Sequence, residues 1–372
     1  VDFFKELVVG GNMRMYRPNS EGTIFSDDTL RITNSEFGFY TGATKQLGDF
    51  SLSAAARVDK NQNFNALFSP AASMVYKPAD NHYLRFSFSS AIRNPTLSDQ
   101  YLDLTVGPAR LLGNLNGFDG LVTLESFQNF RTDPRNPLRS ININPIRPEK
   151  VRTLEIGYRA TLFEKLFIDL SVYNNWYRDF IGFQIGLQVP QIEIELFPGG
   201  PKTVINDFGN INAVRVSANS DLLVTSRGFA LGANYYFGKY YSFNGNYSFN
   251  ELVTQDTDDI VPAFNTPRNK YNIGISGRDI PIFKNSSGGM GFNINYKWIE
   301  GFIFEGSPQF TGFIPTYDLV DVQVNYTFPK ANLTVKAGAS NALDNRRFQT
   351  YGGPRIGRMA YLTITYDFKD KI

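Results

Sequence analysis

Apolar and polar residues alternate along this chain with a period of two, the mark of strands that present two chemically different faces. Between Tyr240 and Asn250 one face reads Tyr241, Phe243, Gly245, Tyr247 and Phe249. The other reads Ser242, Asn244, Asn246, Ser248 and Asn250. The preceding segment sets Phe229, Leu231, Ala233, Tyr235 and Phe237 against Ala230, Gly232, Asn234 and Tyr236. Only Gly238-Lys239 separates the two, which predicts a tight hairpin. The same alternation recurs at Leu84–Phe88, Leu154–Leu162, Ile168–Val172, Val320–Phe328, Leu333–Ala337 and Ala360–Phe368. No segment sustains a capped 3.6-residue period, so helices are expected only as short decorations of loops.

Turn and alternation rules place about 14 strands. They lie near 5–16, 34–46, 50–59, 65–77, 81–92, 151–163, 166–181, 221–237, 240–252, 268–279, 288–300, 316–328, 331–341 and 355–368. Pro70 inside the fourth predicts a bulge there. Short turns (Leu47–Asp49, Lys77–Asn81, Glu164-Lys165, Gly238-Lys239, Pro329-Lys330) alternate with longer connections (Arg17–Thr33, Arg93–Lys150, Gly182–Ser220, Leu252–Pro267, Gly301–Pro315, Ala342–Pro354). Lys60–Phe64 is brief for a long slot, and Ile280–Ser287 is lengthy for a short one. One end of the sheet is thus trimmed and the other elaborated, as in a bacterial outer-membrane barrel.

The sidedness decides the solvent. A closed sheet of about 14 strands with its apolar face inward would enclose a lumen too wide for side chains to fill. Turned outward against lipid, the same face leaves a polar lumen for water or a plug. Tyr76, Phe237 with Tyr240 and Tyr241, Phe328, and Tyr366 with Phe368 stand near strand ends and suit an interfacial girdle. The expected fold is therefore an all-β, antiparallel transmembrane β-barrel.

Composition narrows the chemistry. The 372 residues carry 37 Lys+Arg against 35 Asp+Glu, a near-balance that gives no basis for a nucleic-acid partner. The absence of Cys excludes disulfides and thiolate chemistry, and a single His excludes a multi-histidine metal site. His82 reads as an interfacial or turn residue, with no Ser and Asp arranged beside it for hydrolysis. No catalytic residue, metal site or cofactor is expected. Asp256-Thr257-Asp258-Asp259 offers hard oxygen ligands at alternating positions but lacks the glycine and terminal Glu of an EF-hand loop, so it reads as a solvated acidic loop, with adventitious or structural calcium as the alternative. Val1–Lys5 has no basic start leading into an apolar run, so the chain reads as processed or as part of something larger.

Several stretches resemble strand junctions of TonB-dependent outer-membrane receptors. They are Ala91-Ile92-Arg93-Asn94-Pro95-Thr96 with Tyr101-Leu102, Pro148-Glu149-Lys150-Val151 leading to Leu154-Glu155-Ile156-Gly157-Tyr158, and Phe264-Asn265-Thr266-Pro267-Arg268-Asn269-Lys270. Ser340-Asn341-Ala342-Leu343-Asp344 resembles the element before the family's last hairpin, and Tyr351–Arg358 resembles the final loop of Bacteroidetes, SusC-like members. The resemblance implies residues 1–372 as the C-terminal portion of a barrel of about 22 strands, with the plug absent from this chain. It further implies an outer-membrane active transporter that imports a nutrient too large for porins and is energised by TonB through that plug. A SusD-like surface lipoprotein lid is the implied partner beside outer-membrane lipid. The alternative is a passive porin or structural barrel acting as a scaffold. Phe368 followed by Lys369-Asp370-Lys371-Ile372 departs from the family's usual aromatic ending.

Two residue sets carry the functional expectations. Arg57, Asp59, Arg85, Glu155, Arg159, Asp169, Asp321 and Lys336 fall on polar faces and are expected to face the lumen or plug. The connection from 93 to 150 carries Tyr101, Arg110, Phe118, Phe127, Phe130 and Arg131, aromatic and Arg residues suited to recognition on a presented loop. The connection from 182 to 220 is more apolar (Ile192, Ile194, Leu196, Phe197) and suits packing against a partner. For both, the structural alternative is two loops folding on each other.

Overall fold

The computed structural model describes residues 4–193, 203–205, 208–253, 260–262, 264–282, 288–306 and 310–368. Fourteen strands pair in chain order into one antiparallel sheet. They are β1 (Glu6–Tyr16), β2 (Asn34–Leu47), β3 (Phe50–Asn61), β4 (Leu67–Ala79), β5 (His82–Arg93), β6 (Glu149–Leu162) and β7 (Leu166–Arg178). There follow β8 (Val224–Phe237), β9 (Tyr241–Val253), β10 (Asn269–Ile280), β11 (Met290–Ile299), β12 (Tyr317–Phe328), β13 (Leu333–Ser340) and β14 (Met359–Tyr366). Each coincides with an expected strand. The last is shorter than expected, because Arg355-Ile356 leaves the sheet to pair with Arg347-Phe348. Among the described residues β1 and β14 do not pair with each other, so each keeps one open edge. No plug is evident among them.

The short turns are closed by left-handed backbone. Phe163 and Glu164 both have φ near +50° (52° and 55°), the double left-handed geometry that matches strand twist in a two-residue hairpin. Gly238 supplies φ +60° in the hairpin between β8 and β9, where any larger residue would be strained.

Pro70 corrects one expectation. No bulge forms at it: Ala56 and Pro70 stay in register between β3 and β4. On its other side the β4–β5 ladder ends at Ala71 opposite Ser89. A residue without an N–H is tolerated where no acceptor waits for one, and the two strands are unpaired beyond it.

The apolar face is not a core. Phe243, Ile156 and Val172 are 45 %, 49 % and 53 % exposed, and Leu362 and Ile364 more so. Within the fourteen strands only Ala160 and Val224 are buried hydrophobics. At the trimmed end the outward aromatics form a girdle. Phe50 stacks on Tyr76 at 4.6 Å, Phe237 on Tyr241 at 5.7 Å, and Tyr326 and Tyr366 meet Phe328 and Phe368 edge-on at 4.6 and 4.9 Å.

Buried apolar residues gather instead in the two long connections, which fold on each other. Strands 103–106, 109–112, 212–219, 181–188, 118–122 and 140–143 make a second sheet in that order, with one parallel pair between 109–112 and 212–219. Leu112, Leu121, Ile143, Val214, Val216 and Ala218 pack one core, and Val122, Phe130, Leu187 and Val189 another. Two short helices, α1 (Leu97–Tyr101) and α2 (Leu124–Thr132), decorate it. Thr96 and Asp99 close a reciprocal capping box at α1, and the Thr123 side chain accepts from the Ser126 N–H at α2. The acidic run at 256–259, and Ile194, Leu196 and Phe197, lie outside the described residues.

Candidate functional site

Cross-strand pairing fixes which side chains share a face. Arg57, Asp59, Arg85, Glu155, Arg159, Asp169, Asp321 and Lys336 all stand on the polar face, opposite the exposed apolar one. Most are joined to one another. Arg57 donates to Asp59 at 2.5 and 2.6 Å and to Asn12 at 2.8 Å. Asp169 accepts from Arg85 at 2.9 Å and from Arg159 at 2.8 Å. Arg85 reaches β7 by crossing β6 over Gly157, where a Cβ would stand 2.7 Å from its Nε. Asp321 accepts from Lys297 at 2.5 Å and from the Asn341 N–H at 2.9 Å. Lys297 was missing from the sequence expectation because it sits in a strand with aromatic neighbours on both sides. Lined by Tyr40, Gly42, Ala55, Arg57 and Ser69, a hollow of about 610 Å³ lies against this wall.

At the elaborated end a carboxylate ties the loops to the sheet. Glu149, at the head of β6, is buried and accepts from Arg93 and from the Ile181 N–H, both at 2.9 Å. A buried amide cluster does the same for α1. Gln100 donates to the Pro95 carbonyl at 2.6 Å and accepts from Asn34 and Asn63 at 3.1 and 2.7 Å. Asn61 in turn donates to Asn34 and Glu36, each at 3.0 Å. Sequence reasoning missed these amides; only their density at strand ends and the Thr96…Asp99 spacing marked them.

The loop residues divide. Phe130 is 7 % exposed and buried in one core, and Phe118 and Phe127 are half-buried, each packed against one of the two cores. Their apolar area goes to holding the loop sheet together. Tyr101 is half-buried and its Oη accepts from Asn63 at 2.6 Å. Arg131 is exposed on α2. Arg110 lines a cavity, about 600 Å³, bounded by Thr23, Ser26, Asp28, Asp103 and Asn212. It grips Asp103 through Nε and Nη2, both at 2.9 Å, and these bonds hold the Asp103 carboxyl below its ordinary range. Ser26 adds a hydrogen bond at 3.0 Å. The walls are polar and carry both signs of charge, the chemistry of a polar ligand rather than a greasy one.

A profile of the TonB dependent receptor-like, beta-barrel family matches residues 4–342. The chain belongs to that family. No curated protein matches its sequence. Among solved structures, this receptor barrel is similar to the siderophore receptor PirA from Acinetobacter baumannii, at 15 % identity and a TM-score of 0.62 over 97 % of this chain and 52 % of that one. The FrpB iron transporter from Neisseria meningitidis gives 16 % and 0.61 over 97 % and 52 %. A mutant ferric enterobactin receptor from Pseudomonas aeruginosa gives 14 % and 0.63 over 97 % and 51 %. The chain thus spans about half the length of the receptors it matches, and at such identities they speak for the barrel fold alone.

Proposed function

We propose that this receptor barrel serves an outer-membrane active transporter that imports a polar nutrient too large for porins, energised by TonB. The observation that carries this reading is the inversion of the fourteen-stranded sheet. Its apolar face is exposed without forming a core, while its polar face holds a network of ion pairs. Such a wall suits a lumen occupied by a hydrogen-bonding plug, and the polar cavity beside Arg110 suits capture of cargo above it. The open edges of β1 and β14 speak against a barrel closed by these strands alone, as a passive porin would need. Further strands, about eight on a 22-strand plan, and a plug complete the transporter in this reading. The SusC-like affinity rests on the Tyr351–Arg358 segment, and with it comes a SusD-like lipoprotein over the loops. No step of covalent chemistry is assigned to the chain.

The test is uptake by cells carrying the full-length receptor. Uptake of the cognate nutrient should stop when TonB is removed or the inner-membrane proton gradient is collapsed. Arg110→Ala should weaken capture at the surface without affecting insertion of the barrel. Uptake that persists without TonB and without the gradient would sink the transporter reading.

A further inference from the structure

The lipid-facing side of the sheet holds a third cavity, about 620 Å³, at the elaborated end of β4 to β7. Leu67, Phe68, Phe88, Ile92 and Trp176 line its apolar part, and Lys150, Arg152 and Arg178 its charged part. Pro70 explains why there is room. The β4–β5 ladder, rising from the trimmed end, stops at Ala71, one residue short of Pro70, and 67–70 and 90–93 are unpaired with each other above that point.

The cations sit at a definite height. Down the outward face of β6 and β7 the first rows are Lys150 opposite Arg178 and Arg152 opposite Trp176. Leu154, then Ile156 opposite Val172, follow below. Charge therefore caps the apolar band at the extracellular end, with the Trp between them at the interface. Nearby outward arginines are already neutralised: Arg227 and Arg268 both pair with Glu251, at 2.8 and 2.6 Å. Among the described residues Arg152 and Arg178 have no carboxylate within ion-pair distance. Lys150 has only Asp179 at 3.7 Å, and Arg147 holds that same carboxylate at 3.1 Å.

We propose that this groove binds a phosphorylated, multiply acylated lipid of the outer leaflet. Its phosphates would be held by Lys150, Arg152 and Arg178, and an acyl chain would lie along Phe68, Phe88 and Ile92. Guanidinium groups match phosphate oxygens in bidentate fashion, and the cavity opens on the only face that touches lipid. Here the outward orientation of that face, and with it the outer-membrane placement, comes from the proposed function.

The test uses full-length receptor extracted in mild detergent from the outer membrane, with bound lipid A counted by native mass spectrometry. The triple variant K150Q/R152Q/R178Q should retain at least about tenfold less lipid A than the parent, whereas R227Q should retain it. Should the triple variant fail to insert, the parent protein still decides the matter: it should hold lipid A and release its dephosphorylated form. Equal retention of both forms, or by the parent and triple variant, would overturn the lipid site alone. Recovery of the receptor outside the outer membrane would overturn the transport reading as well.

Discussion

Two parts of this molecule obey opposite rules of burial. In the loop sheet Val214, Val216, Leu121 and Val122 are fully buried, as in any water-soluble domain. In the fourteen strands, residues of the same kind stay exposed on one face, and the opposite face is stitched by ion pairs. Both regions alternate with period two, and both are built from Val, Leu, Ile and Phe. The difference is the solvent each was shaped for. An apolar side chain gains by leaving water, but lipid removes it from water as well as a protein core does.

That contrast can be broken by paired truncations. Leu121→Ala should cost about 2–5 kcal/mol, because it empties a fully buried site. Limited proteolysis should then cut within 118–143 while the barrel persists. Ile156→Ala on the outward face should cost less than about 1 kcal/mol, since lipid can flow into the space, whereas Ile156→Arg should cost about 2–4 kcal/mol. Heat-modified gel mobility of the membrane-inserted protein would report both. Equal costs for Leu121→Ala and Ile156→Ala would mean that the outward face is a core after all.

The smallest effect concerns pH. Arg110 depresses the pKa of Asp103, so the folded loop binds that proton less readily than the unfolded chain does. The contribution is complete above the ordinary carboxylate pKa near 4 and is lost as pH falls through the lower folded value. Arg110 is 41 % exposed, so solvent screening keeps the effect below about 1 kcal/mol. Amide protection over 103–112, measured against the intrinsic exchange rate at each pH, should fall in acid, and Asp103→Asn should remove that pH dependence.

The sheet was legible because its information is local. Alternation, left-handed turn positions and connection lengths located all fourteen strands, and the facing of Arg85, Arg159 and Asp169 followed from parity alone. The loop region was not, because its contacts are distant in sequence. The parallel pairing of 109–112 with 212–219 and the bond between Asn34 and Gln100 leave no periodic trace. Aromatic residues carry two readings at once: Phe118, Phe127 and Phe130 have the composition of a recognition loop, and in the fold Phe118 packs against one of the two loop cores while Phe127 and Phe130 belong to the other.

Among the described residues no strand lies beside the outer margin of β1 or of β14, where a row of amide and carbonyl groups runs. In hydrocarbon each such group costs several kcal/mol, so neither margin can enter the bilayer bare. On the proposed plan of further strands, entry and seam-making become one event: the ribbon that completes the wall would arrive with the sheet, zipped to it as it descends.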